Sequence, residues 1–343
     1  MSDRIKTEIT TTTDLVLPNG KLNPASIGWS KTPQHNCNVT GRWPRKKRWD
    51  YWCVTGPDFL FSVTIADVDY ALSGFVYFLD YKSKRFIEHT VVIPLPKSYH
   101  MPQSPQGALK LAHKELELEF ITDANGATEL RATSDHFGGH KLDARIQIQR
   151  EKNQESLNVV IPWSDRKYQF TSKQPGLPAT GSVQIDGETF DFPKGTSFAC
   201  LDYGRGVWPF SSVWNWSSFS VKNGRDVIGV NLGGKWTDGT GINENAVFLN
   251  GKVYKIFDDL IFDYNPADFM QPWRIHAPDP EELDLRFTPF FERKAETNLL
   301  LIFTRVNQMI GRFEGGFRAG DKTVKISDKT QAIGWAEEHE ARW

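Results

Sequence analysis

The stretch GETFDFPKGTSFACLDYGRGVWPFSSVWNW, residues 187–216, holds the clearest structural signal in the chain. Phe198, Cys200 and Asp202 alternate along it, so in a strand two apolar side chains and one carboxylate point the same way. Arg205 follows between two glycines and is a nearby charge partner. The stretch is therefore either the wall of a pocket or a bend held by a buried ion pair between Asp202 and Arg205.

Composition limits the class of protein. The chain has 343 residues, enough for two domains, and its net charge of -1 gives no overall field for nucleic acid. Three cysteines are too few for a disulfide framework, which favours a reducing compartment. The N-terminus is polar and no apolar run is long enough to cross a bilayer. We therefore expect a cytoplasmic protein with no transmembrane segment and no nucleic-acid partner.

Short alternating segments bounded by turn residues continue through most of the chain, and no stretch shows a helical period over three turns. The segment 174–181, QPGLPATG, is rich in turn residues and predicts a linker. The expected architecture is all-β, with two antiparallel barrels or sandwiches in tandem. The first, with an N-terminal arm, is predicted at 1–175 and the second at 176–343.

Familiar cofactor and metal motifs are incomplete in this sequence. Residues 229–235, GVNLGGK, match a phosphate loop except that Trp236 replaces the required Ser or Thr. His136 and His140 have metal-ligand spacing only in a helix, and the two glycines between them favour a turn instead. No dinucleotide fingerprint is present. We predict no cofactor and no metal.

Two further places put ionisable groups among apolar neighbours. Glu244 shares the parity of Phe248 near a Gly-rich turn, where it either acts as a buried acid or lies in a plain surface loop. Near the C-terminus, Trp335, Glu337, His339 and Trp343 share one parity, so an inward Trp335 brings a carboxylate and an imidazole with it. The candidate catalytic residues are Asp202, Glu244 and His339.

Several separated phrases resemble the bacterial family called domain of unknown function 2804. They are Lys21–Trp29, Lys47–Trp52, Ile65–Tyr70, Leu201–Gly206, Asn243–Asn245, Pro272–Trp273 and Ala341–Trp343. More distantly, residues 187–216 are similar to the start of the second barrel in tandem lipocalin-like proteins: AttH-like proteins, carotenoid hydratases, tocopherol cyclases, fungal Diels-Alder cyclases and ceramide-carrying survival factors. That likeness implies two lipocalin-like barrels, a hydrophobic ligand and an acid in a Trp-x-Asp pattern, in which Asp202 matches and Cys200 replaces the tryptophan.

Three functions fit these features. The first is a cofactor-independent acid/base enzyme, a hydratase, isomerase or cyclase, in which Asp202 or Glu244 protonates a hydrophobic small molecule with or without an acidic or polar end. The second is a carrier that binds a lipid unchanged, and the third is a carbohydrate-active hydrolase or lyase. The candidate substrate-binding residues are Arg205, Trp208, Trp214, Trp216, Trp273 and Trp335.

Overall fold

The N-terminal arm carries only short elements. The structure is a computed structural model that describes residues 4–96, 99–299 and 302–342, so Trp343 lies outside the described residues. The arm contains strand β1 (Thr13–Asp14), a 3-10 helix (Pro24–Ser26), strand β2 (Trp29–Ser30) and strand β3 (His35–Asn36). Strands β1 and β3 pair with each other, and the backbone of Ile5 reaches the far half of the chain by donating to the carbonyl of Gly241 at 2.8 Å.

The first large sheet curls into a nearly closed barrel. Its strands from the arm onward are β4 (Lys46–Thr55), β5 (Phe59–Asp67), β6 (Ala71–Asp80), β7 (Phe86–Pro94), β8 (Gly107–His113), β9 (Leu116–Thr122), β10 (Thr128–Phe137), β11 (His140–Ile148), β12 (Leu157–Ser164), β13 (Lys167–Ile185), β14 (Glu188–Phe192) and β15 (Phe198–Val207). The main order is β7-β6-β5-β4-β15-β13-β11-β10-β9-β8; β12 and β14 pair with β13, and β2 pairs with β12.

The second large sheet is a half-barrel. Its strands are β16 (Ser211–Asn223), β17 (Asp226–Gly234), β18 (Ala246–Leu249), β19 (Lys252–Lys255), β20 (Ile261–Asp263), β21 (Trp273–His276), β22 (Leu283–Leu299), β23 (Ile302–Ala319), β24 (Lys322–Ile326) and β25 (Ala332–Arg342), with a 3-10 helix at Asp328–Thr330. The order is β19-β18-β17-β16-β25-β23-β22-β21-β20, and β24 pairs with β23. The predicted all-β tandem architecture is confirmed.

The predicted linker at 174–181 is wrong, because this segment lies inside β13. Its proline and glycines accommodate a bulge between Gln174 and Leu177, where Gly176 has a φ of +77°. Strand β13 pairs with β15 before and just after the bulge and with β11 beyond it. The chain leaves the first sheet after Val207 and enters the second at Ser211, so the predicted boundary at 175 does not coincide with the change of sheet.

Other local predictions have clear outcomes. The glycines between His136 and His140 form the tight connection between β10 and β11, which confirms the predicted turn. Cys37, Cys53 and Cys200 are buried and free. Within the described residues, no helix is long and apolar enough to cross a membrane.

The two sheets pack against each other through a shared apolar cluster. Strand β15 separates its side chains between two environments: Leu201 and Tyr203 enter the core of the first barrel, whereas Cys200 faces the second sheet. There it joins Trp216 and Trp335 from β16 and β25. Because side chains alternate along a strand, Asp202 follows Cys200 on the face toward the second sheet.

Candidate functional site

A cavity of about 340 Å³ lies between the two sheets, beside their packed cluster. Its walls come from β4, β5, β6, β7, β13 and β15 of the first sheet and from β16, β22, β23 and β25 of the second. The exposed residues Thr90 and Thr297 belong to its open side, whereas Lys173 and Glu244 are buried. The volume falls in the range of small-molecule sites, and tryptophans form much of the lining.

One lysine in the cavity wall forms ion pairs with two carboxylates. Nζ of Lys173 lies 3.0 Å from Oδ2 of Asp202 and 3.1 Å from Oε2 of Glu244. The ammonium also lies 4.5 Å from the ring centroid of Trp216, which adds a cation–π contact. Thr171 donates a 3.1 Å hydrogen bond to Oδ1 of Asp202. The predicted alternative that Glu244 lies in a surface loop is wrong, because Glu244 is 1% exposed.

The backbone at Gly233 leaves space for the side chain of Glu244. A Cβ atom on Gly233 would come within 2.2 Å of Oε1 of Glu244, so a larger residue there would displace the carboxylate. Trp236 donates from Nε1 to that same oxygen at 2.9 Å. Burial, and next the neighbouring carboxylate of Asp202, raise the pKa of Glu244, while Lys173 opposes the shift. Burial lowers the pKa of Lys173, but the charges of the two carboxylates have the larger combined effect. The pKa of that lysine is therefore raised.

A third carboxyl group, that of Glu337, accepts hydrogen bonds from two neutral side chains among the described residues. Trp214 donates from Nε1 to Oε1 at 3.1 Å, and Gln308 donates from Nε2 to Oε2 at 3.1 Å. Within the described residues, no lysine, arginine or histidine nitrogen lies in ion-pair distance of this carboxyl group. Burial raises the pKa of Glu337 to about 7. The group is therefore able to hold and release a proton near neutral pH.

His339 is a neutral member of the lining. Its Nε2 lies 2.7 Å from Oγ1 of Thr304, and its ring stacks on Trp214 with centroids 3.9 Å apart. Burial, with a smaller contribution from the charge of Arg293, lowers the pKa of His339 to about 3. The imidazole is thus uncharged at neutral pH and offers one donor and one acceptor nitrogen.

An arginine crosses from the second sheet to the first. Arg293 on β22 forms a two-point ion pair with Glu88 on β7, and its guanidinium lies 4.6 Å from the ring centroid of Tyr77. Both charged residues line the cavity. The ion pair therefore links the wall formed by the first sheet to the wall formed by the second.

Six of the nine predicted site residues meet at the cavity. These are Asp202, Glu244, His339, Trp208, Trp214 and Trp216. Arg205 does not line it. Arg205 lies three positions after Asp202, so in a strand the two side chains point to opposite faces. Arg205 instead donates to Asp50 at 2.7 Å, and the alternative of an ion pair between Asp202 and Arg205 is wrong.

Two predicted tryptophans serve the packing instead. Trp273 is buried in the second barrel, where it stacks on Tyr264 with centroids 4.0 Å apart. Trp335 lies in the cluster between the sheets, edge-to-face on Trp216 at 5.1 Å. Neither lines the cavity.

The nine candidates leave out several polar residues of the site, among them Lys173, Arg293, Gln308 and Glu337. Glu337 shared the parity of Trp335 and His339, and that pattern was sufficient to select it. Lys173 directly precedes the segment 174–181, which the sequence predicts to be a linker. No strand is therefore predicted around Lys173. Arg293 and Gln308 carry no local signal, because their importance arises from contacts with the opposite sheet and the neighbouring strand.

The fold defines a tandem lipocalin-like protein. Among solved structures, an AttH-like protein of Nitrosomonas europaea is 11% identical, with a TM-score of 0.52 and coverage of 95% of this chain and 98% of that one. Kievitone hydratase of Nectria haematococca is 12% identical, with a TM-score of 0.51 and coverage of 99% and 98%. A search among curated proteins gave no significant match.

The family assignment rests on the sequence itself. The model of the family described as domain of unknown function (DUF2804) matches residues 6–343, and the chain belongs to this family. The resemblance noted from its separated motifs is confirmed.

Proposed function

We propose that the protein is a cofactor-independent acid/base enzyme, a hydratase, isomerase or cyclase, acting on a largely hydrophobic small molecule in the cavity between its sheets. The observation that carries the proposal is the cluster of Asp202 and Glu244 around the single ammonium of Lys173. Burying two carboxylates is unfavourable, and a site that only packs against a hydrophobic ligand does not need them.

The lining suits a reaction through positive charge. Protonation of a double bond leaves a carbocation, and the faces of Trp214 and Trp216 attract a cation. Asp202, held by Thr171 and Lys173, then accepts a proton from an attacking water or from a neighbouring carbon. Glu244 shares the lysine, and neutral His339 positions a polar group of the ligand. A hydratase among proteins of the same fold is consistent with this chemistry.

Deuterium incorporation tests the proposal without knowledge of the natural substrate. The protein is incubated in D2O with three unsaturated probes, 4-vinylphenol, geraniol and carvone, and products are followed by mass spectrometry and NMR. We expect deuterium or hydration product from at least one probe. In Asp202→Asn the rate falls at least about 100-fold, the usual contribution of one acid or base. The matched control is Asp284→Asn, which changes an exposed carboxylate that does not line the cavity.

A carrier would give the opposite result. Tight binding of every probe with no chemical change, together with a lipid retained in native mass spectrometry of protein purified from its host, would contradict the enzyme proposal. Turnover of oligosaccharides with no reaction of the unsaturated probes would favour a carbohydrate-active enzyme instead.

A further inference from the structure

The carboxyl groups of the cavity fall into two electrostatic classes. Asp202 and Glu244 lie 3.0 and 3.1 Å from the ammonium of Lys173, so each has a direct counter-charge. Glu337 lacks such a cation among the described residues and is 5% exposed. Environments that separate two acids in this way also divide the roles of proton donor and proton acceptor.

The charges on the surrounding strands do not alter this division. The charge of Arg293 on β22 acts on Glu337, and its guanidinium is paired with Glu88. Lys173 on β13 forms ion pairs with Asp202 on β15 and with Glu244. On the strand of Glu337 itself, His339 is neutral because burial lowers its pKa to about 3. Behind Gln308, Tyr77 and Tyr51 are phenols, and burial raises both their pKa values.

Among the described residues, the hydrogen-bonding neighbours of the Glu337 carboxyl group include no acceptor for its proton. Trp214 has only a donor to offer, so Oε1 of Glu337 must accept. Tyr77 donates to Oε1 of Gln308 at 2.9 Å, which turns the NH2 group of that amide toward Oε2 of Glu337. Both neighbours of the carboxyl group are therefore donors. A hydroxyl hydrogen on Oε2 is available to whatever occupies the cavity, and the same two donors stabilise the carboxylate after the proton leaves.

The charge of the lining restricts the ligand. With Glu337 protonated, the carboxylates of Glu88, Asp202 and Glu244 face the cations of Lys173 and Arg293, so the charge of the lining is minus one, or zero when Glu244 is protonated as well. Ionisation of Glu337 makes the lining one unit more negative. In each state both cations of the described lining are paired with carboxylates, so neither is left for an anionic group. A neutral ligand that becomes positive during the reaction is favoured, whereas a carboxylate or phosphate is repelled.

We propose that Glu337 is the proton donor of the cavity and that the substrate is an uncharged alkene that becomes cationic on protonation. This inference rests on the proposed acid/base function. The O–H bond of Glu337 breaks while the π electrons of the double bond form a C–H bond, leaving a carbocation and the Glu337 carboxylate. Water then adds and gives its proton to Asp202, or a neighbouring carbon loses a proton to Asp202. Solvent at the open side returns a proton to Glu337 and removes one from Asp202.

Infrared difference spectroscopy tests the protonation of Glu337 independently of any substrate. Spectra between about pH 5.5 and pH 8.5 should contain the carbonyl stretch of a buried carboxylic acid that disappears as the pH rises. The band is expected to be absent from Glu337→Gln and present in Asp202→Asn and in Glu281→Gln, an exposed matched control. A band that survives in Glu337→Gln, or that is lost in Asp202→Asn alone, would assign the proton to another group and overturn the proposal.

The unsaturated probes test the donor role and the charge of the substrate. For a probe that the unaltered protein converts, Glu337→Gln should lower the rate at least about 100-fold, while Glu281→Gln should not change it. In binding assays, neutral 4-methylstyrene should bind at least about 10-fold more tightly than 4-vinylbenzoate, a probe of similar size with a carboxylate.

The outcomes separate this inference from the proposed function. Full activity of Glu337→Gln on a converted probe, or equal or tighter binding of 4-vinylbenzoate, overturns the inference and leaves the acid/base function standing. If the unaltered protein converts no probe, the proposed function fails, and the infrared band alone decides whether Glu337 holds the proton.

Discussion

Strand β15 carries two buried charge clusters on its opposite faces, and they are built differently. On the face toward the first barrel, Arg205 donates to one carboxylate, Asp50, and to backbone carbonyls of Trp49, Gly204 and Pro102 at 2.8, 2.9 and 3.2 Å. On the face toward the cavity, the single ammonium of Lys173 serves two carboxylates.

The difference separates a structural ion pair from a site. Arg205 has one counter-charge, and three of its other N–H groups donate to backbone carbonyls, so the cluster is largely satisfied within the protein. The lysine cluster has more negative than positive charge and borders an open volume. Burial alone, which the two clusters share, does not identify a functional residue, whereas the balance of charges and access to a cavity do.

The largest effect should come from Arg205→Met. Removing the guanidinium leaves the buried carboxylate of Asp50 without a counter-charge, and we expect the free energy of unfolding to fall by about 4–5 kcal/mol. Urea unfolding followed by tryptophan fluorescence measures the change. The double variant Asp50→Asn with Arg205→Met should recover part of the loss. A cost as small as that of Arg318→Met, in an exposed pair, would show that the pair is not structural.

Lys173→Met should cost less, about 2–3 kcal/mol at pH 8. The cavity gives solvent some access, and Glu244, whose pKa is already raised, takes up a proton in place of the lost charge. Because this uptake is easier in acid, the cost should be smaller at pH 5. Urea unfolding at both pH values checks the difference, with Lys322→Met in an exposed pair as the control. An identical cost at the two pH values would contradict the uptake of a proton by Glu244.

Glu337 should make stability depend on pH in the opposite sense to an ordinary ion-paired carboxylate. Its pKa rises from 4.5 to about 7 on folding, so the folded state binds the extra proton and stability falls as the pH rises through this interval. Between pH 5 and pH 7 the loss amounts to about 2 kcal/mol. The test compares unfolding free energies of the unaltered protein and Glu337→Gln across this range. Parallel curves would mean that Glu337 ionises normally.

The smallest effect should come from Thr171→Val. The substitution keeps the shape of the side chain and removes one hydrogen bond to Asp202, which still has Lys173 as a partner. We expect a loss of about 1 kcal/mol. Thermal and urea unfolding beside Thr323→Val, an exposed strand position, measure it. A loss above about 3 kcal/mol would indicate that Thr171, rather than Lys173, is the main partner of Asp202.

Alternation along strands was the most informative sequence signal. It placed Asp202 on the face of Cys200 and His339 on the face of Trp335, and both faces meet the opposite sheet. The same rule separates Arg205 from Asp202, although their closeness in the chain suggested a pair. Periodicity and turn signals were sufficient for the all-β tandem fold.

Other features were beyond a local reading of the chain. Prolines and glycines produce a bulge within β13 as readily as a linker between domains, and the choice depends on β15, which pairs with that segment. The pairing of Lys173 with Glu244 joins a strand of the first sheet to a loop of the second, and no periodicity encodes which faces of two sheets meet. Trp273 and Trp216 likewise look the same in sequence, and only packing places one in a core and the other beside a cavity.

The position of the cavity between the sheets has a consequence for folding. Lys173 lies in β13 of the first sheet and its partner Glu244 lies in the loop between β17 and β18 of the second, so their contact forms only after the two sheets have docked. Each sheet can complete its own strand pairing first, since neighbouring strands close shorter loops than contacts across the molecule. Binding of a ligand in the cavity should therefore appear after secondary structure during refolding. A chain cut between Val207 and Ser211 would make ligand binding a direct measure of reassembly.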